Sequence, residues 1–302
     1  MKSKIAVIGV GTQGSMIAFR NAVYGKQVSA FSRNEASREK CRARIERFLE
    51  FYVGEGRMTQ EEADQARSRI TYVSNLEDAC KDAGMVIENI PEILERKQEL
   101  FRQLHEICDG DVLFSSNTSS LLMSEICKDL PPERRAFTFQ VDHDDPVRNS
   151  HVEMMWNVDT SDATKQAALA HYRSLGFEPV ITEQEIKGYS INRVWRAVKK
   201  ECLKLWAKGY IAPSEFDRGW MTEWHTDIGP FKLMDLIGLD TILNIEYSYF
   251  NASGDESDRP PAELENMVKA GRLGMKTGSG FYDNYDIEAG NLSVGKKKHD
   301  RM

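Results

Sequence analysis

What this chain has little of narrows it first. Its 302 residues include five cysteines, Cys41, Cys80, Cys108, Cys127 and Cys202, an odd number with no C-x-x-C pair among them. That argues against a disulfide framework or a zinc site and suits a reducing compartment. Positive charge is not in excess: 40 Lys and Arg against 47 Asp and Glu leave a net charge of −7. Nucleic-acid binding by bulk electrostatics is therefore not expected, and Lys296-Lys297-Lys298 reads as a solvated end. No apolar run is long enough to span a bilayer, and since Met1-Lys2-Ser3-Lys4 leads directly into a strand, no signal peptide is expected. A cytoplasmic protein without membrane contact is expected. There is no internal repeat and no low-complexity segment.

What is present begins at Ile5-Ala6-Val7-Ile8, four apolar residues running into Gly9, Gly11 and Gly14. This G-x-G-x-x-G closes a short buried strand and opens a helix. Gly9 permits the tight turn, Gly11 lets backbone approach a pyrophosphate, and Gly14 lets the helix lie close on the strand. The first helical N–H groups, from Thr12 and Gln13 onward, then offer donors and partial positive charge to phosphates. The motif predicts dinucleotide binding by Gly9, Gly11, Thr12, Gln13 and Gly14.

A second strand follows at 27–31, and one absence just beyond it bears on the cofactor. NAD enzymes usually place Asp or Glu there to accept from the ribose 2′-OH. Here stand Ser32 and Arg33. A carboxylate would repel a 2′-phosphate, whereas Ser32 and Arg33 can bind one through charge-assisted hydrogen bonds. NADP(H) is expected in preference to NAD(H), the alternative being that Arg33 is a solvated loop charge.

Residues 35–52 are helical and charged, Gly54-Glu55-Gly56 breaks the pattern, and Thr59 with Glu61 and Glu62 reads as an N-cap with acids in the first turn. This is a helix pair inserted between strands two and three, either a solvated hairpin or a surface that touches a long substrate. Further strands are predicted at 70–73, 85–90, 111–116, 136–141, 153–158 and 178–181. Pro91-Glu92 is expected to open a helix whose apolar stripe is Leu100, Phe101, Leu104 and Ile107. Asn117-Thr118-Ser119-Ser120 falls at the C-terminal end of a parallel strand, the ligand edge of such a sheet. Beyond Gly188 strand signals vanish and helical patterns run to near Asp286, the first with Val194, Val198, Cys202 and Leu205 on its apolar side. The expected architecture is α/β: a Rossmann-type, doubly wound, mostly parallel sheet in a dinucleotide-binding domain (1–187), followed by an all-helical domain (188–302).

These segments converge on one family. The glycine loop, Val86-Ile87-Glu88-Asn89-Ile90-Pro91-Glu92, Ser116-Asn117-Thr118-Ser119-Ser120-Leu121 and Gly188-Tyr189-Ser190-Ile191-Asn192-Arg193 are similar to segments of the L-3-hydroxyacyl-CoA dehydrogenases. The long, specific stretches 229–241 and 270–283, from Gly229-Pro230-Phe231 to Gly280-Phe281-Tyr282-Asp283, resemble them too. The resemblance covers nearly the whole chain. It implies an oxidoreductase interconverting a 3-hydroxy and a 3-oxo group. The substrate class is an acyl-CoA or, as in some relatives, a small hydroxy acid or keto ester. It also implies a homodimer formed by the helical domain, and an active site in the cleft between the domains.

In that family a His exchanges a proton with the substrate oxygen, a Glu orients the His, and a Ser and an Asn bind the reacting oxygen. The resemblance carries the Ser to Ser119, the Asn to Asn192 and the Glu to Glu153, and it places Asn117 at the cofactor. The His does not carry over: its position falls on Gln140, which cannot exchange a proton near neutral pH. His143, three residues on, is the candidate replacement. The alternative is a loop His whose neighbours Asp142, Asp144 and Asp145 would raise its pKa. His151, two residues before Glu153, and His225, beside Trp224, are weaker candidates, while His105 and His171 read as helix-surface residues. Trp195, Trp220 and Trp224 suggest a reshaped pocket, and Arg148 or Arg196 is a candidate for holding a substrate carboxylate, surface Arg being the alternative. Two readings stay open: a working dehydrogenase or ketoreductase, and a cofactor-binding member with little or no such activity, serving as a sensor, scaffold or structural protein.

Overall fold

The computed structural model describes residues 4–134, 137–141, 146–147, 150–283 and 285. These fall into two compact units, residues 1–190 and 191–302.

The first unit opens with β1 (Lys4–Ile8), α1 (Thr12–Val23), β2 (Gln27–Phe31), the helix pair α2 (Glu35–Gly54) and α3 (Gln60–Ser68), and β3 (Ile70–Val73). It continues through α4 (Leu76–Cys80), β4 (Ala83–Glu88), α5 (Leu94–Ile107), β5 (Leu113–Ser116) and α6 (Met123–Ile126). It closes with β6 (Phe137–Val141), β7 (His151–Trp156), α7 (Asp162–Ser174) and β8 (Glu178–Thr182). The eight strands form one sheet in the order β3-β2-β1-β4-β5-β6-β7-β8. Every neighbouring pair is parallel except the antiparallel β6–β7. Strand order reverses between β1 and β4, so the crevice beyond their C-terminal ends is the place where such sheets bind ligands.

Local chemistry explains the elements. β1 and β4 are buried almost throughout, as strands covered on both faces must be, and they read as continuous apolar runs. Thr59 caps α3 as expected, and Glu62 reciprocates to close a capping box. The core between sheet and helices is aromatic at its β6 end, where Phe137 and Phe139 meet Tyr172 of α7 at ring separations of 6.1 and 5.1 Å.

The second unit carries most of α8 (Ser190–Ala207), then α9 (Pro213–Trp224), α10 (Pro230–Ile237), α11 (Leu239–Ser253) and α12 (Ala262–Lys269). Two buried carboxylates tie it together. Asp217 accepts from the N–H groups of Phe231 and Lys232 and from the Tyr282 hydroxyl, at 2.9, 2.8 and 2.7 Å. Asp235 accepts from Phe281 N, Tyr282 N and the Tyr285 hydroxyl, at 2.9, 2.9 and 2.7 Å. These bonds explain the long motifs 229–241 and 270–283 as one packed unit.

Several expectations need correcting. Pro91 and Glu92 do not open a helix: α5 starts at Leu94, because the Glu92 carboxylate is drawn to the loop after β5. The strand expected at 153–158 is β7, His151–Trp156, and the one expected from residue 111 is shorter, Leu113–Ser116. His171 is not on the helix surface. It is 2% exposed and packs edge-on against Tyr172. On α8, Val194 is 65% exposed, while Lys199, Cys202 and Leu203 form the buried side. Lys199 is admitted there because Glu246 pairs with it at 2.8 Å. The segment 274–283 is not helical throughout, being held by the bridges Gly274↔Ser279 and Ser279↔Asp283.

Candidate functional site

The glycine loop is built to the tolerance its spacing implies. Gly9 has φ +95°, and a Cβ there would lie 2.7 Å from the Asn89 carbonyl oxygen. A Cβ on Gly14 would lie 1.9 Å from the Gly9 oxygen, so both positions exclude a side chain. Gly11 differs: a Cβ there would meet nothing within 4 Å. Its glycine is not demanded by the protein's own packing, which is what an approach by a ligand would require. Gly11 is the N-cap of α1 and brings no capping side chain, and the first turn holds no acid. No acid of the first turn opposes the donors and dipole of Thr12, Gln13 and their successors. Arg44, reaching from α2, adds a cation there, donating to Ser15 Oγ at 2.9 Å and to the Gly11 oxygen at 3.3 Å.

At the tip of β2, Ser32 N bonds to the Val73 oxygen at 3.2 Å, fixing the turn. Arg38 then donates to the Ser32 carbonyl at 2.6 Å and to the Arg33 carbonyl at 3.2 Å. Arg33 donates to Gln103 at 3.3 Å and lines a recess of about 550 Å³ with Phe31, Asn75, Leu76 and Ile107. No carboxylate stands at the strand tip itself; Glu77 and Glu106 line the recess farther along.

Asn117 leaves β5 beside β4: its N–H bonds to the Glu88 oxygen at 2.9 Å and its amide to Asn89 Oδ1 at 3.0 Å. The exposed Ser119 follows, its N–H donating to Glu92 Oε1 at 3.1 Å. Behind this loop lies a charged group that inspection of the sequence missed. Lys97 and Glu88 are both 0% exposed at the side chain, and Lys97 Nζ is 2.8 Å from each Glu88 oxygen and 3.2 Å from Glu92 Oε2. Burial pushes the Glu88 carboxyl above the usual carboxylate range despite Lys97. For Glu92 burial also pushes up, but the hydrogen bonds from Thr118 and Ser120 and the charge of Lys97 win and hold it below that range. A signal was available: Lys97 falls three, four and seven residues before Leu100, Phe101 and Leu104, on the stripe that should be apolar. Arg38 and Arg44 gave no comparable signal among the many charges of α2.

Gln140 and Glu153 face each other in register on antiparallel β6 and β7. Glu153 Oε1 accepts from Thr182 Oγ1 and from the Ser190 N–H, both at 2.8 Å, and from the Ser190 hydroxyl at 2.5 Å. The carboxylate thus caps the start of α8, where the helix dipole favours negative charge. Asn192 stands two residues further along α8, in the second unit. His151 shares the face of β7 that Glu153 uses, two residues apart. His143 and Arg148 lie outside the described residues. His225 is the exposed left-handed C-cap of α9. Arg196 is committed within the second unit: it donates to Asp258 at 2.9 Å and lies 3.8 Å over the Tyr249 ring. Among the described residues no cluster of His, Cys, Asp and Glu could hold a metal ion, and no helix is long and apolar enough to cross a membrane.

Comparison with known proteins follows this geometry. Residues 4–186 match the NAD-binding domain of the 3-hydroxyacyl-CoA dehydrogenases and residues 188–284 match their C-terminal domain. The chain is 31% identical over 280 residues to the 3-hydroxybutyryl-CoA dehydrogenase of Clostridioides difficile, covering 93% of this chain and 99% of that protein. Among solved structures it is similar to a diketoreductase acting on dicarbonyl compounds, with TM-score 0.85, 28% identity and coverage of 93% and 98%. It is also similar to the (S)-3-hydroxybutyryl-CoA dehydrogenase of Ralstonia eutropha, with TM-score 0.83, 28% identity and coverage of 95% and 100%.

Proposed function

The chain belongs to the 3-hydroxyacyl-CoA dehydrogenase family, and on that premise we propose that it is a nicotinamide-dependent oxidoreductase interconverting a 3-hydroxy and a 3-oxo group, with NADP(H) preferred. The substrate is a 3-hydroxyacyl-CoA or a small hydroxy acid or keto ester, as the names of its relatives suggest. The observation that carries the cofactor reading is the pairing of a glycine-lined helix start that has no capping side chain with a β2 tip that holds Ser32 and Arg33 and no acid, Arg38 of α2 bonding to its carbonyls. Gly9 and Gly14 shape the cradle, and Gly11, Thr12 and Gln13 face the diphosphate. Asn117 lies at the nicotinamide end, and Ser32 and Arg33 take the 2′-phosphate. When bound, the cofactor supplies or accepts the hydride.

Ser119 and Asn192 bind the reacting oxygen. Gln140 can hold that oxygen with its amide but cannot exchange a proton, so His143 or an ordered water does that work. Glu153 positions either the Gln140–His143 segment or the start of α8. Residues 188–302 form the substrate-binding and dimerising domain. The exposed Ile191 and Val194 on α8 support a homodimer, which light scattering checks. The expected compartment is the cytoplasm.

Calorimetric titration with NADPH and NADH, paired with turnover of acetoacetyl-CoA, tests the reading. NADPH binds more tightly, and Ser32→Asp reverses the order. A clear preference for NADH overturns the 2′-phosphate assignment. Binding of neither overturns the whole reading, and binding without turnover of any 3-oxo or 3-hydroxy compound leaves a cofactor-holding protein.

A further inference from the structure

The buried charges that the chemistry does not use lie directly behind the loop carrying Ser119. Resting on the reading of Ser119 as an oxygen ligand, we infer that Glu92 is a positioning residue that fixes this loop, with Lys97 and Glu88 holding Glu92 in place. A single oxygen, Glu92 Oε1, accepts from Thr118 Oγ1, from Ser119 N at 3.1 Å, from Ser120 N at 3.0 Å and from Ser120 Oγ at 2.9 Å. Thr118 Oγ1 accepts in turn from Leu121 N at 3.0 Å. Two successive backbone N–H groups therefore converge on one carboxylate oxygen, an arrangement a neutral acceptor would hold less tightly.

The loop needs this restraint. It has no regular secondary structure, and Ser119 and Ser120 are exposed, so burial does not fix them. The restraint itself is anchored. Glu92 Oε2 meets Lys97 Nζ at 3.2 Å, Lys97 grips both oxygens of Glu88, and Glu88 accepts from Ser116 Oγ and from Ile90 N at 2.6 Å. A chain of charge-assisted bonds thus runs from the ends of β4 and β5 to the backbone of Ser119. Glu92 is 34% exposed at its side chain, so its removal opens no core cavity. What its removal does is release the loop, and a displacement near 1 Å at a reacting group costs on the order of 10²-fold in rate.

The experiment is a double-mutant cycle on acetoacetyl-CoA reduction, with hydrogen exchange on the same proteins. Glu92→Ala is expected to lower kcat by roughly 10²-fold with KM changed only a few-fold, and to speed exchange of the Ser119 and Ser120 amides while the sheet amides stay protected. Glu92→Gln, which keeps an acceptor oxygen but loses the charge, falls between it and the native protein. Ser119→Ala alone lowers kcat, and Glu92→Ala with Ser119→Ala lowers it little further, because a displaced serine has nothing left to lose. Losses that multiply in the double variant, or exchange at the two amides unchanged in Glu92→Ala, overturn the positioning role. Full activity in Ser119→Ala instead overturns the reading of Ser119 on which it rests.

Discussion

Replacing Lys97 with Met should unfold the first unit more readily than any surface change, and the size of the effect follows from the site. Lys97 and Glu88 are both fully buried, with the ammonium 2.8 Å from each carboxylate oxygen. At an effective dielectric constant near 20, one such contact is worth roughly 6 kcal/mol before desolvation is counted. Most of that is offset by the cost of burying two charges, so the pair itself adds little. Removing one partner strands the other, which costs about 3–5 kcal/mol. Glu88 retains donors in Ser116 Oγ and Ile90 N, which favours the lower end. For a unit of this size that loss lowers Tm by roughly 6–20 °C. The pH dependence has a definite sign. Without Lys97 the folded Glu88 carboxyl rises further above its unfolded range, so the variant's deficit is greatest above that folded pKa and shrinks as acid protonates Glu88. Glu88→Gln in the Lys97→Met background should recover part of the loss at neutral pH. Urea unfolding and calorimetry at neutral and mildly acidic pH measure all of this. A Lys97→Met protein within 1 kcal/mol of native, or one that Glu88→Gln does not rescue, would refute the stranded-charge argument.

Two further outcomes follow. His171 is buried with neither ring nitrogen hydrogen-bonded among the described residues, and burial holds its pKa down at about 3. The unfolded chain therefore takes up a proton that the folded one refuses between the ordinary imidazole range and that value. Stability falls with acid through this window at up to about 1.4 kcal/mol per pH unit. His171→Leu should flatten the acid limb of a Tm–pH curve, and an unchanged limb would contradict the assignment. Gln140→His places an imidazole opposite Glu153. With an ordered water as the native proton carrier, turnover should rise by about 10²–10⁴-fold, the usual worth of general acid–base help, and gain a pH dependence in the imidazole range; with His143 already in that role the gain should be absent. A flat profile with unaltered kcat would show that proton exchange does not pass through this position.

The fold was legible where the signal was local. Apolar runs ending in Gly9, the Thr59-to-Glu62 cap and the switch from strand to helix near Gly188 follow from steric and hydrogen-bonding rules acting within a few residues. So does the charge pattern at Ser32 and Arg33. Misreadings occurred where a distant partner overrode the local preference. Pro91-Glu92 has the look of a helix start, yet Glu92 turns to donors 26 to 28 residues away. Lys199 and Asp217 drew no reading at all, because the Glu246 carboxylate and the Phe231 and Lys232 amides that hold them in the core are distant in the chain. His171 lies on a helix of mixed character, and its burial edge-on against Tyr172 shows only in the packed structure.

By itself the sequence determined the family, the order of the elements and the glycine cradle for a dinucleotide, and it put Gln140 where the resemblance expects the proton-exchanging His. Each of these is written in residue type and short-range spacing. Only the tertiary structure decided that Gln140 faces Glu153, that Glu153 caps α8, and that Lys97 binds two carboxylates behind Ser119. Strand register and buried ion pairs bring together residues far apart in the chain, and an electrostatic interaction depends on distance and burial, neither of which a linear sequence specifies.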